Sequence, residues 1–227
     1  MNATLPRPAH LLGRLDSALL APPATMSDSA TEPASIKDWC LARADEWYAR
    51  GERGAARDFL KHAAGADPSD AQVWIALGSL QFELGEYELA GLAFHMAGDL
   101  NPTNAQVFLH LGLLHQKLQH TDDAEALFRH ALVLDPTNSL ALGLLGLLLL
   151  MQNRHLEARP LFASVLQQNP NDVESLLRLG VCSFKIKDYN TALNCYERVL
   201  QLCPGHPLAC ENLGALRLIS ASACVLE

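Results

Sequence analysis

The stretch LNPTNAQVF, residues 100–108, is one of a set. ADPSDAQVW (66–74) stands before it, and LDPTNSLAL (134–142), QNPNDVESL (168–176) and LCPGHPLAC (202–210) follow. Their prolines, Pro68, Pro102, Pro136, Pro170 and Pro204, are spaced by 34 residues each time. Other series keep the same step: Leu77-Gly78 through Leu213-Gly214, Ala56 through Ala192, and the large residues Leu60, Phe94, Phe128, Phe162 and Tyr196. Independent series at one period mark an internal repeat. Each repeat divides into two amphipathic stretches of about a dozen residues, which predicts a helical hairpin. A proline ends the second helix by removing a backbone donor. Polar residues just after it, such as Ser69, Asn104, Asn138 and Asp172, are expected to cap the next helix. The glycines lack a Cβ and let a neighbouring helix approach closely. One hairpin cannot bury its apolar face alone, so neighbours stack over a continuous core.

The pattern resembles the tetratricopeptide repeat family. The second repeat carries the signature best, with Trp74, Leu77, Gly78, Ala90, Phe94, Ala97 and Pro102. The first departs with Arg43 and Ala44 in the Leu-Gly places, and the fourth has Leu142 and Leu149 where aromatics are usual and Val165 where Ala is usual. The resemblance implies an all-α fold: a right-handed α-solenoid of stacked antiparallel helix pairs wound into a superhelix. The expected organisation is a disordered segment 1–36, repeats at about 37–70, 71–104, 105–138, 139–172 and 173–206, a partial repeat 207–220, and a tail 221–227. Residues 1–25 precede a second plausible start at Met26.

The run LALGLLGLLLLM, Leu140 to Met151, is apolar on every face. At twelve residues it is shorter than the roughly 18 a membrane span needs, so no transmembrane segment is expected. In the stack that the resemblance implies, the first helix of each repeat lines a concave groove. Positions 4, 7, 8 and 11 then pack inward, while 2, 5, 9, 12 and 13 form a stripe on the other side. The stripe predicts an apolar partner-binding groove of Ile75, Phe82, Leu109, Leu113, Leu147, Leu150, Met151, Leu177, Val181 and Phe184, with Asp45 and Glu83 as acidic flanks. Such a patch marks an interaction site. The chaperone-peptide carboxylate clamp known in the family is not expected, because of its residues only Arg178 is matched.

The net charge is −8, and the stretch from Asp67 to Asp135 carries ten acids against the two bases Lys117 and Arg129. With no basic stripe to neutralise phosphates, nucleic-acid binding is not expected. The six cysteines form no CxxC pair and are read as reduced thiols in a cytoplasmic protein. No phosphate loop or catalytic signature occurs, so no enzyme, cofactor or metal is expected. His110, His115, His120 and His130 hold repeat positions that point in different directions, and His115 is read as a core residue. Asp122, Asp123 and Glu125 read as a solvated helix start. The leading functional expectation is therefore a scaffold or adaptor holding an amphipathic helix or apolar peptide. A chaperone-like holder of a hydrophobic client, or the repeat region of a larger enzyme or assembly protein, is the alternative. The sparsely charged C-terminal helix is read as a truncation point, a self-association contact or a docking surface.

Overall fold

The computed structural model describes residues 35–223, with side chains to residue 218. Most of the expected N-terminal segment, and residues 224–227 of the tail, lie outside the described residues. Eleven α-helices and no strand occur among the described residues. They are α1 Ile36–Ala49, α2 Arg53–Ala66, α3 Ala71–Glu83, α4 Tyr87–Leu100, α5 Ala105–Lys117, α6 Thr121–Leu134, α7 Ser139–Met151, α8 His155–Gln168, α9 Val173–Lys185, α10 Tyr189–Leu202 and α11 Pro207–Ala223. The chain divides into two compact units, one ending at Leu114 and the other beginning at His115, so the boundary falls within α5. In the first unit α1, α2, α3 and α4 pack each on the next, and Phe94 of α4 stacks on His110 of α5 at 5.0 Å. In the second, each helix from α6 to α11 packs on its successor, and α7 also touches α9.

The hairpins close the same way in every repeat. Gly51, Gly85, Gln119, Asn153 and Lys187, 34 residues apart, all have positive φ, between 60° and 83°. Around each, the residue after it donates its N–H to the carbonyl five back: Glu52 to Trp47, Glu86 to Gln81, His120 to His115, Arg154 to Leu149 and Asp188 to Ser183, at 2.8–3.0 Å. With the bond from the left-handed residue to the carbonyl three back, this is a Schellman closure. Glycine adopts that conformation without penalty, whereas Gln119 and Lys187 hold it against a cost of roughly 1–2 kcal/mol.

The junction between repeats is an Asx turn wrapped around the proline. Asp67, Asn101, Asp135 and Asn169 each accept the N–H two residues on. Thr137 also donates its hydroxyl to Asp135 and helps hold that carboxyl below its ordinary value. The caps then come from Asp70, Asn138 and Asp172, while Asn104 accepts from Gln106 N–H at 3.0 Å. Ser69, expected as a cap, belongs instead to the turn: its hydroxyl donates to Asp67 at 2.7 Å, and Asp70 takes the capping role one residue later.

In three hairpins the aromatic of the second helix lies on the glycine of the first. A Cβ on Gly78, Gly146 or Gly180 would meet the ring of Phe94, Phe162 or Tyr196 at 2.6–2.8 Å. The five alanines of the Ala56 series are wholly buried, which lets the paired helices cross closely.

Successive repeats are also joined by a charged ladder between second helices. Arg57 pairs with Glu86, and Arg159 with Asp188 at 2.7 Å. The rung between them in the series is inverted: Glu125 supplies the acid and Arg154 the base, at 2.6 Å. Arg154, with Arg129 beside it, holds the Glu125 carboxyl below its ordinary value. A lowered carboxyl stabilises the fold above the ordinary range near 4.3, and the contribution is lost as pH falls through the folded value. Glu125→Gln is therefore expected to lower stability by about 1 kcal/mol at pH 7. That gap should close as the pH drops below about 4, as read from urea midpoints across pH. A gap independent of pH would show that the carboxylate charge contributes nothing.

Candidate interaction face

The face is built from the first helices of the hairpins. In the second unit its centre is α7, where Ala141, Leu142, Leu145, Leu148 and Leu149 are buried and so occupy one side of the helix. Leu147 and Leu150 are half-buried and Met151 is 67 % exposed on the other side. Beside α7, α9 adds Val181 and Phe184, both half-buried. Phe184 leans on Tyr189 with ring centroids 5.8 Å apart and rests on the buried cluster around Tyr196 and Leu213. The packing fixes one edge of the ring and leaves part of it accessible.

In the first unit Phe82 and Leu113 are half-buried, and Phe82 leans on Tyr87 at 5.5 Å as Phe184 does on Tyr189. Nearby, a hollow of about 220 Å³ has a floor of small and apolar residues, Ala44, Ala56, Leu60, Ala76 and Leu80. Asp45, Tyr48, Ser79 and Glu83 form its rim. Tyr48 donates its hydroxyl to Glu83 at 3.2 Å, and Arg53 pairs with the same carboxylate at 3.2 Å. Glu83 is thus already engaged by two neighbours, which the sequence did not reveal.

Three of the ten residues of the expected stripe lie inside the stack. Ile75, Leu109 and Leu177 are 6 %, 3 % and 7 % exposed. They share repeat position 5, where the side chain turns toward the packed side. The remaining seven are half-buried or exposed: Phe82 and Leu113 in the first unit, Leu147, Leu150, Met151, Val181 and Phe184 in the second. Hydrophobic spacing could not separate position 5 from position 9, because both lie near the edge of the buried arc.

The cysteines inside the fold are not poised for attack. Burial pushes Cys182 and Cys195 up to about 11, so both are neutral thiols. No described helix is long and apolar enough to cross a membrane.

Helical hairpins that repeat every 34 residues and close by one motif define an all-α repeat protein, a class built to present stacked surfaces to other proteins. A family model described as tetratricopeptide repeat matches residues 41–105 and 109–173, and a second of the same description matches 173–206. The chain belongs to the tetratricopeptide repeat family. Among solved structures it is similar to MamA from Desulfovibrio magneticus RS-1, at 18 % identity and TM-score 0.66, covering 78 % of this chain and 99 % of that one. YrrB, a TPR protein with an unusual peptide-binding site, matches at 23 % identity and TM-score 0.61, over 76 % and 89 % of the two chains. Pseudomonas aeruginosa pilF matches at 22 % and 0.67, over 81 % and 89 %. These likenesses show the fold. A search of curated proteins returned no match.

Proposed function

We propose that the chain is a non-enzymatic adaptor that holds an amphipathic helix or apolar peptide of a partner on the first-helix face, chiefly on α7 and α9. The observation that carries this reading is the second side of α7. A helix of a repeat stack needs one apolar side, yet Leu147, Leu150 and Met151 add another that the second unit leaves partly open. Val181 and Phe184 extend it, and an unbranched methionine at its edge adapts to varied partners. Phe82 and Leu113 are the corresponding contacts of the first unit. The similarity to YrrB, described as having a peptide-binding site, supports the reading without specifying the ligand. Self-association through α11, whose Leu208 and Leu218 stand exposed, belongs to the same proposal. So does residence in the reducing cytoplasm, supported by the free thiols of Cys40, Cys182 and Cys195.

The test is a pull-down with wild type and a Leu147→Glu, Leu150→Glu double variant, each first shown equally helical by circular dichroism. Partners should bind the wild type and be lost from the variant, a drop of at least about a hundredfold for two buried charges at an interface. An unchanged partner list with a folded variant would sink the proposal for α7. An unfolded variant would place both leucines in the core.

A further inference from the structure

We propose that His115, His120 and Asp123 form a binding site for a divalent transition-metal ion of the zinc class. All three belong to the second unit and surround the turn between α5 and α6. Five residues apart on one helix, the two imidazoles would diverge, so helical spacing alone predicts no metal site here. The turn overrides that geometry. Gln119 is left-handed at φ 65°, and the chain doubles back so that His120 N–H bonds the His115 carbonyl at 2.9 Å. The backbone thus ties the two residues together, and their rings lie 5.7 Å apart.

The equivalent pairs in the other repeats are Trp47 with Glu52, Gln81 with Glu86, Leu149 with Arg154 and Ser183 with Asp188. Only the third repeat places two nitrogen ligands on this frame. In three of these repeats the second member, Glu86, Arg154 or Asp188, is drawn into the charged ladder. At the ladder position that would serve His120 the sequence has Gly91, which carries no charge.

The third ligand comes from the first turn of α6. Asp123 Oδ2 stands 3.5 Å from His115 Nδ1, too far for a good hydrogen bond, and that buried nitrogen has no hydrogen-bond partner. The spacing is close to the edge of about 3.3 Å between two ligands of a tetrahedral ion with bonds near 2.0–2.1 Å. One ligand atom from each of the three residues falls within 4.8 Å of the others, so small side-chain rotations complete the set. Two imidazoles and one carboxylate select zinc-like ions over magnesium or calcium, which prefer all-oxygen shells. An open depression lined by Gln119, His120, Thr121, Asp122 and Asp123 admits water for the remaining positions. The ion would staple the hairpin turn that Gln119 holds in a disfavoured conformation.

The experiment uses the full chain, freed of metal with a chelator and titrated with Co²⁺, followed by displacement with Zn²⁺. One equivalent should bind with visible d–d absorption that Zn²⁺ abolishes. The melting temperature should rise by roughly 5–10 °C at a hundredfold excess of Zn²⁺ over its Kd. His120→Ala and Asp123→Asn, both at exposed side chains, should keep the circular dichroism spectrum and weaken binding by at least about tenfold. The absence of one-to-one binding at about 1 mM, or binding that neither variant weakens, overturns the site. A thiolate-to-cobalt charge-transfer band also overturns it, by moving the ion to the exposed Cys203 and Cys210.

Discussion

Gly146→Val lowers stability by about 2–4 kcal/mol, roughly 4–16 °C in Tm. The reason is the Phe162 ring, whose Cζ and Cε1 would lie 2.8 and 2.9 Å from the first added carbon. That ring is 1 % exposed and enclosed on all sides, so it has nowhere to go. Two opposing effects must be compared. Replacing glycine in a helix interior gains a few tenths of a kcal/mol in backbone entropy for valine. Overpacking a dense core costs about 1–3 kcal/mol per intrusion, and valine brings three carbons. The steric effect wins. Urea unfolding measures it, and a Gly146→Val, Phe162→Leu double variant should recover at least about 1 kcal/mol through direct coupling. Strict additivity of the two single losses would mean that the glycine and the ring do not share space.

Pro160→Ala acts in the opposite direction and raises stability by about 1–3 kcal/mol. Pro160 is the sixth residue of α8, past the first turn where proline is harmless. It has no N–H for the carbonyl of Leu156, and its ring presses on that turn. The side chain is exposed, so removing it forfeits no packing. The equivalent positions hold Asp58, Leu92, Ala126 and Asn194, and the Ala126 case shows that alanine suits the site. The check is thermal unfolding, with an expected rise of roughly 2–12 °C. A fall in Tm would mean that the proline stiffens the unfolded chain more than it harms the helix.

Much of the architecture was readable from the 34-residue marks. Proline, the Leu-Gly pair and the buried alanine locate the helices because each meets a requirement one residue type fulfils best. The turns between paired helices were not readable. Gly51, Gly85 and Asn153 advertise a left-handed residue, but Gln119 and Lys187 occupy the same conformation with nothing in their chemistry to announce it. That silence also hid the meeting of His115 and His120, since the helical spacing alone separates them. The apolar stripe was partly readable: Leu150 and Phe184 lie at the open side, whereas Ile75 and Leu177 turned inward. Burial at that position depends on how deeply the next hairpin seats, a three-dimensional quantity that periodicity does not encode.

The inverted rung of the charged ladder bears on how the gene can change. Tandem repeats invite unequal crossing-over, and losing one unit normally leaves an intact, shorter array. Here an in-frame loss of residues 139–172 would bring Glu125 to the place where Arg159 now meets Asp188. Two carboxylates would then confront each other across the new junction, with Arg154 and Arg159 both gone. Arg129 would remain as a cation beside Glu125, and the fourth repeat serves as an adaptor between neighbours of unlike sign. The array carries a parity check on its own length, written in charge, and a copying slip there yields a mismatched joint.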